Sequence, residues 1–385
     1  MNKLAGWDME WTIGLVTVMV GFYTCSGGLA AVVYTDVLQG LLMIGGCALV
    51  VVIGLAQLGG PEELRKGVES AIVVRAAEAP DAPRVGNPAG RVEHFDLILP
   101  VDTPSPFPWT GILFGLAFIT SPAYWIGNQA IVQRTLGARS EFEAKASYVW
   151  GALLKNTIPL VIAVPGLIAL ARFPLLDDPD NALPALIGAS MPAGVKGVFL
   201  AAFLAALMSS VDSYLNSATT IFTHDFYRRF LRPTADERRL LGVGRVMTVL
   251  LMAWGALFAF ILSRDETHGG IYAIFQTLMA FFNGPAFGVL LAGLLTRTAT
   301  RSGVLAGFCA GVLTSISLYV LNRPEVGSFL DLQPLFRIAD PFLYLSIWAF
   351  LATLVVTAIV SYLTTADPPE KQRMSLRGPR EGAAP

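Results

Sequence analysis

Charge is what this sequence has least of. Of its 385 residues only 14% are charged, while 54% are hydrophobic and the mean hydropathy is +0.60. A soluble globular chain carries about a quarter charged residues. So large a deficit cannot be hidden in a soluble core, and the solvent for much of the surface must be lipid. Histidine is also scarce: His94, His224 and His268 all lie outside apolar runs or at their ends. HExxH, paired CxxC and a phosphate-cradling glycine loop followed by lysine are all missing, which argues against an enzyme. The three cysteines, Cys25, Cys47 and Cys309, are odd in number and sit in apolar runs. That suits small buried hydrophobes rather than disulfides or metal ligands. A net charge of −1 gives no footing for nucleic acid. No secretory signal is visible, because Asp8 and Glu10 stand where a basic flank belongs.

Long apolar runs are present instead. A helix crosses the hydrocarbon in about 20 residues. Nine candidate spans follow: Trp11–Cys25, Leu29–Leu58, Trp109–Gln133, Tyr148–Ala171, Lys196–Tyr227, Val243–Leu262, Ile271–Leu295, Val304–Leu321 and Phe342–Tyr362. The segment Pro61–Pro108 is rich in Pro, Gly and charge and reads as an external loop with some surface helix. Alternate loops then differ in charge. One set holds Arg134, Arg139 and Lys145; Arg228, Arg229, Arg232, Arg238 and Arg239; Arg297 and Arg301; and a tail with Lys371, Arg373, Arg377 and Arg380. The other set pairs Arg172, Arg264, Arg323 and Arg337 with Asp177, Asp178, Asp180, Asp265, Glu266, Glu325, Asp331 and Asp340. Lys and Arg accumulate on the cytoplasmic side. The nine-span count therefore places Met1 outside and Pro385 inside. An outside start without a signal is the first sign of missing N-terminal helices.

Ionisable and polar groups within spans are functional candidates because their burial is costly. Asp36 and Gln39 share a helix face; Asp36 is either a site residue or an aspartate solvated at the helix end. Ala206, Ser209, Ser210 and Ser213 fall at i, i+3, i+4 and i+7. They form either a hard-oxygen site for an alkali cation or serines that bond back to their own helix and cement contacts. In Thr120-Ser121-Pro122-Ala123-Tyr124-Trp125, Pro122 interrupts the span just before aromatics and amides. That arrangement marks a cavity for a polyhydroxylated ligand or a plain kink. Lys155 lies about two turns inside its span, too deep for an easy snorkel, and Pro159 with Pro165 suggests broken geometry there.

Several longer motifs occur in order. They are Gly27-Gly28-Leu29-Ala30-Ala31-Val32-Val33-Tyr34-Thr35-Asp36, Pro108-Trp109-Thr110-Gly111, and Tyr124-Trp125 running on to Asn128-Gln129-Ala130-Ile131-Val132-Gln133-Arg134. Leu153-Leu154-Lys155, Val164-Pro165-Gly166, the serine helix ending at Asn216-Ser217, and Thr223-His224-Asp225-Phe226-Tyr227 follow. Through them the chain resembles the sodium:solute symporter family, in its sodium/glucose and sodium/myo-inositol cotransporter-like branch.

The resemblance implies an all-α polytopic membrane protein with a LeuT-type inverted-repeat fold, N-terminally truncated, of about nine helices. Its divisions would be 1–58, the last two helices of the first repeat; 59–107, an extracytoplasmic loop; 108–297, the five-helix second repeat; 298–366, two accessory helices; and 367–385, a cytoplasmic tail. It implies sodium-coupled symport of a sugar or polyol across the plasma membrane, with sodium as coupling ion and no other cofactor. Ser209 and Ser210 would offer hydroxyls to sodium and Ala206 its carbonyl. Asp36 would serve a second sodium or proton coupling, with Ser213 nearby. Tyr124 would cover the sugar, and Ser121, Trp125, Lys155 and Gln276 would contact it, Gln276 with a one-residue ambiguity in register. Asp212 stands where other members carry an uncharged residue, and its role is open. The first three core helices of the family, one of which completes the sodium site, are absent. The rival expectations are a non-functional or partner-dependent fragment and a transporter-like sensor.

Overall fold

The computed structural model describes residues 6–78, 98–103, 105–176, 181–264, 270–323 and 340–366, with a few isolated positions between. The acidic stretches 177–180 and 265–269 and the tail beyond residue 368 lie outside them. The described residues form helices and connections, in two compact units. The first unit comprises residues 1–82 and 133–267, the second 83–132 and 268–385.

In the first unit, α1 (Met9–Leu58) is one helix of 50 residues, about 75 Å long at 1.5 Å per residue. The Asp8 carboxylate caps its start by accepting from the Glu10 N–H at 2.9 Å. Gly59 ends it with φ of 95°, a left-handed conformation that glycine adopts without a Cβ clash. This corrects the expectation of two spans with a reversal between Cys25 and Leu29. Gly27 and Gly28 each weaken a helix by only about 1 kcal/mol, and no proline interrupts the ladder from Met9 to Leu58. The two apolar runs survive as the two parts Met9–Phe22 and Val33–Leu58 of one helix. The reversal that would place Met1 outside is not formed.

The surface helix expected after the second run is α2 (Pro61–Glu78). It is followed in the same unit by α6 (Glu141–Lys155), α7 (Ile158–Arg172), α8 (Ala182–Ser190), α9 (Ala193–Ile221), a π-helical α10 (Phe222–Leu231) and α11 (Glu237–Arg264). Its core joins Val50 of α1, Leu64 and Val68 of α2, Ile168 of α7, Leu186 and Ile187 of α8 and Phe199 of α9. Small residues let the helices approach: a Cβ on Gly46 would stand 2.9 Å from the Ala202 methyl, and one on Gly54 3.0 Å from Ile168 Cδ1. The expected single span Tyr148–Ala171 lies within one candidate span, Glu141–Arg172, built of two helical segments. Pro159 sits at the start of α7, where its missing N–H costs nothing, and Asn156–Thr157 turn the chain between them.

In the second unit, α3 (Gly111–Thr120) is π-helical and continues directly into α4 (Ser121–Gly127). Pro122 therefore does not break the chain where expected: the backbone stays helical through Thr120 and Ser121, and the π-helical α3 runs on into α4. The extended residue is Asn128, with φ −79° and ψ 115°. After it comes α5 (Gln129–Leu136), which runs across the boundary into the first unit. The remaining helices are α12 (Gly270–Leu295), α13 (Arg301–Leu321) and α14 (Phe342–Leu363).

The pairing of α13 with α14 is a stripe of small residues at four-residue spacing: Gly303, Gly307 and Gly311 face Thr353, Thr357 and Ser361, all buried. The hydroxyls finish the ends of the pair. Ser361 Oγ accepts from the Thr300 N–H at 3.0 Å, and Thr300 Oγ1 caps α13 through the Gly303 N–H at 3.1 Å. At the other end the Asn322 amide donates to the Ile338 carbonyl and accepts from the Phe336 N–H.

Among the described residues seven helices are long and apolar enough to cross a membrane, and Met9–Phe22 and Gly111–Gly127 are shorter apolar helices. The nine apolar segments read from the sequence are therefore all helical.

Candidate ion and substrate sites

The serine segment lies mid-way along α9. Ala206 and Ser209 are half-buried, Ser210 is exposed, and Asp212 and Ser213 are buried, Asp212 completely. Helical periodicity turns Ser209 and Ser213 to one side, and the Ser213 hydroxyl donates to the Ser209 carbonyl at 2.5 Å. This is the back-bonding habit of serine in apolar helices. The same oxygen is then free to accept, and it takes a second bond from a cation.

That cation is Arg134, on α5. Asn128 Oδ1 accepts from the Ala130 N–H at 2.9 Å, so the extended residue starts a new helix instead of prolonging α4. Six residues on from Asn128, the Arg134 guanidinium donates to Asp36 Oδ2 at 2.5 Å and to Ser213 Oγ at 2.5 Å. The ion pair is partly sheltered, with side-chain exposures of 32% for Arg134 and 16% for Asp36. Asp36 and Ser213, 177 positions apart, thus meet through one side chain. Asp212 Oδ1 lies 3.2 Å from Ser213 Oγ. Two oxygens of this cluster, Asp36 Oδ1 and Asp212 Oδ2, are buried without a hydrogen-bond partner, as is Oε1 of Gln39, three residues on from Asp36 along α1. Buried carboxylate and amide oxygens without donors are a hard-oxygen set, the chemistry that takes an alkali cation.

The sugar-contact candidates divide between the units. Ser121, Tyr124 and Trp125 occupy one short helix, α4, which packs on α12 and α3. Gln276 is on α12, where its amide donates to the Tyr272 hydroxyl at 3.0 Å. Lys155 closes α6 in the first unit and is exposed at the α6–α7 break. The candidate span Glu141–Arg172 contains it near mid-length, at that break.

In the sequence Arg134 reads as one of several loop cations. The available signal was its place at the end of Asn128-Gln129-Ala130-Ile131-Val132-Gln133-Arg134, directly after the interrupted span. Asp212 was noticed, but one-dimensional spacing puts it off the serine face and gives no sign of its complete burial.

A family model described as the sodium:solute symporter family matches residues 1–311. The chain belongs to this family. Among the symporter relatives, sodium/glucose cotransporter 4 of Danio rerio is 31% identical over 96% of this chain and 58% of its own length. Sodium/myo-inositol cotransporter 2 of Homo sapiens is 33% identical over 94% of this chain and 55% of its own. The chain thus spans little more than half the length of these curated relatives, which are cotransporters and not enzymes. Among solved structures, the substrate-bound outward-open state of a Na+-coupled sialic acid symporter superposes with a TM-score of 0.69 at 22% identity, over 95% of this chain and 69% of that one. This symporter has the LeuT-type fold expected from the sequence motifs.

Proposed function

We propose that the chain performs the ion- and solute-binding work of a sodium-coupled symporter for a small polar solute, a sugar or polyol, by alternating access. The observation that carries the reading is the oxygen cluster inside the spans: Ser209, Ser213, Asp212 and Asp36 on α9 and α1, with Asp36 Oδ1 and Asp212 Oδ2 unpartnered. In lipid such groups are costly unless they serve an ion or a solute. The sugar and inositol cotransporters among the relatives support the solute class.

On this reading the Ser209 and Ser210 hydroxyls and the Ala206 carbonyl take up one sodium ion, and Asp36 with Ser213 serves a second. Tyr124 covers the solute with its ring face, and Ser121, Trp125, Lys155 and Gln276 offer hydroxyl, indole, ammonium and amide donors to it. The basic loops face the cytoplasm. Sodium favours the conformation that binds solute well, and coupling is the difference in its affinity between the two states.

Ser210→Ala removes one ion ligand and no solute ligand. Its sodium concentration for half-maximal uptake should rise on the order of tenfold, while solute affinity at saturating sodium stays within about twofold; tenfold is about 1.4 kcal/mol, the worth of one hydrogen-bond-class ligand. Uptake titrated with sodium and then with solute separates the two. Equal loss of both, or of neither, removes Ser210 from the ion site.

A further inference from the structure

We propose that α10 lies in the bilayer interface and binds acidic phospholipid headgroups: Phe222, Phe226 and Phe230 enter the acyl boundary, and Arg229, Arg232 and Arg238 hold the phosphate groups beside them.

Helix length places α10. At about 1.5 Å per residue the 29 residues of α9 are about 44 Å long, more than the roughly 30 Å of hydrocarbon. α10 carries on from α9 without a break, and Ala193–Leu231 is one helical run of 39 residues. Lys196 marks one end of that run, and His224, Asp225, Arg228 and Arg229 mark the other. α10 therefore emerges where hydrocarbon gives way to headgroups.

One face of α10 packs on α11. Thr223 is buried against it, the Tyr227 hydroxyl accepts from Arg239 Nε at 3.2 Å, and Arg228 pairs with Glu237 at 3.6 Å. The phenylalanines are left over. Their rings form a column with centroids 5.4 Å and 5.8 Å apart, and Phe226 and Phe230 are 49% and 67% exposed. Single exposed rings are ordinary, but a contiguous column that prolongs an apolar span marks a surface with an occupant.

Charge selects that occupant. From Phe222 to Arg245 there are six arginines and three acidic residues, an excess of three positive charges. The Arg229 guanidinium stands 5.6 Å from the Phe230 ring centroid, and Arg232 and Arg238 are exposed. A guanidinium is a planar fork that matches phosphate oxygens. Cations beside inserted aromatic rings are the pattern of an interfacial helix on anionic lipid. A soluble acidic partner would have to displace lipid from rings that prolong a membrane span, so the bilayer is the favoured occupant. Because α9 and α10 are continuous, headgroups held here fix the depth of α9, and with it that of Ser209 and Ser213.

The test uses the full chain in phosphatidylcholine vesicles with Phe230→Trp as reporter. Its emission is the difference from the chain bearing the seven native tryptophans alone. A minor share of the lipid is brominated phosphatidylglycerol in one set and the same share of brominated phosphatidylcholine in the other. Brominated phosphatidylglycerol should quench the added indole more strongly, with an apparent lipid preference on the order of tenfold, since each interfacial arginine contributes about fivefold at most. Replacing Arg229, Arg232 and Arg238 together by Gln in the reporter chain should bring the two sets level; a preference that survives overturns the headgroup site. Inorganic phosphate in the buffer should leave the preference unchanged, and its loss would make the ligand a free anion instead of a lipid. Equal quenching by both lipids in the reporter chain removes headgroup selection. Quenching by neither puts α10 in water and leaves its face to a protein, against the proposal. If the triple variant does not fold, about 1 M sodium chloride replaces it: the Debye length falls to about 3 Å, and the preference should shrink severalfold. A preference indifferent to salt overturns the assignment.

Discussion

Gly307→Val is expected to destabilise the chain by about 3 kcal/mol, the upper part of the range for forcing methyl groups into a packed core. A Cβ at position 307 would stand 2.7 Å from the Thr353 carbonyl and 3.1 Å from Thr357 Cβ, with the Thr357 hydroxyl closer still. The Thr353 carbonyl is backbone and cannot turn aside, so α13 and α14 must separate. Separation also strains the neighbours in the stripe, because Gly303 and Gly311 meet backbone oxygens at 2.9 Å in the same way. Lipid-facing helices gain little from the hydrophobic effect against each other, so close backbone approach is their main source of adhesion. Thermal unfolding in detergent should show a lowered midpoint for Gly307→Val. Adding Thr357→Ala should restore part of the loss, because it removes the hydroxyl and not the carbonyl. A midpoint equal to wild type would mean that the two helices are not held by this stripe.

Asp36→Asn should have the largest effect on the ion. The substitution keeps the shape and removes one charge. Arg134 then loses its 2.5 Å partner, and the ion loses a charged ligand. On the proposed reading the sodium midpoint should rise on the order of ten- to a hundredfold. Stability without sodium should fall by about 1–3 kcal/mol, less than a fully buried pair would cost because the arginine is partly exposed. Sodium-titrated melting reports both numbers from one experiment. Loss of stability with an unchanged sodium midpoint would make Asp36 a structural partner of Arg134 and nothing more.

The apolar segments were legible in the sequence because lipid enforces them: each needs a run of hydrophobic residues, and each such run is helical here. The breaks were less legible. Pro122 looked like the interruption, yet the helix runs through it, and the chain turns at Asn128, whose short side chain caps the next helix. Pro159 gave the right warning, since a proline that opens α7 implies that α6 has ended. Gly27-Gly28 suggested a reversal, but glycine permits a turn without requiring one, and α1 passes through it. The closeness of Asp36 and Ser213 followed from the family motifs, whereas the arginine that joins them did not. An ion pair between residues 98 positions apart has no period and no local signal. The stripe on α13 and α14 could have been found from its four-residue spacing of Gly303, Gly307 and Gly311, a pattern as regular as that of the serines on α9.

On the proposed reading this chain couples a sodium gradient to the movement of a sugar or polyol. The most direct measurement is uptake of labelled glucose and labelled myo-inositol by proteoliposomes containing the chain, with an inward sodium gradient on one set and an equal choline gradient on the other. The account predicts transient accumulation of at least one solute above its equilibrium level with sodium and not with choline, and its abolition when the sodium gradient is dissipated. Equal uptake of both solutes in sodium and in choline would contradict it.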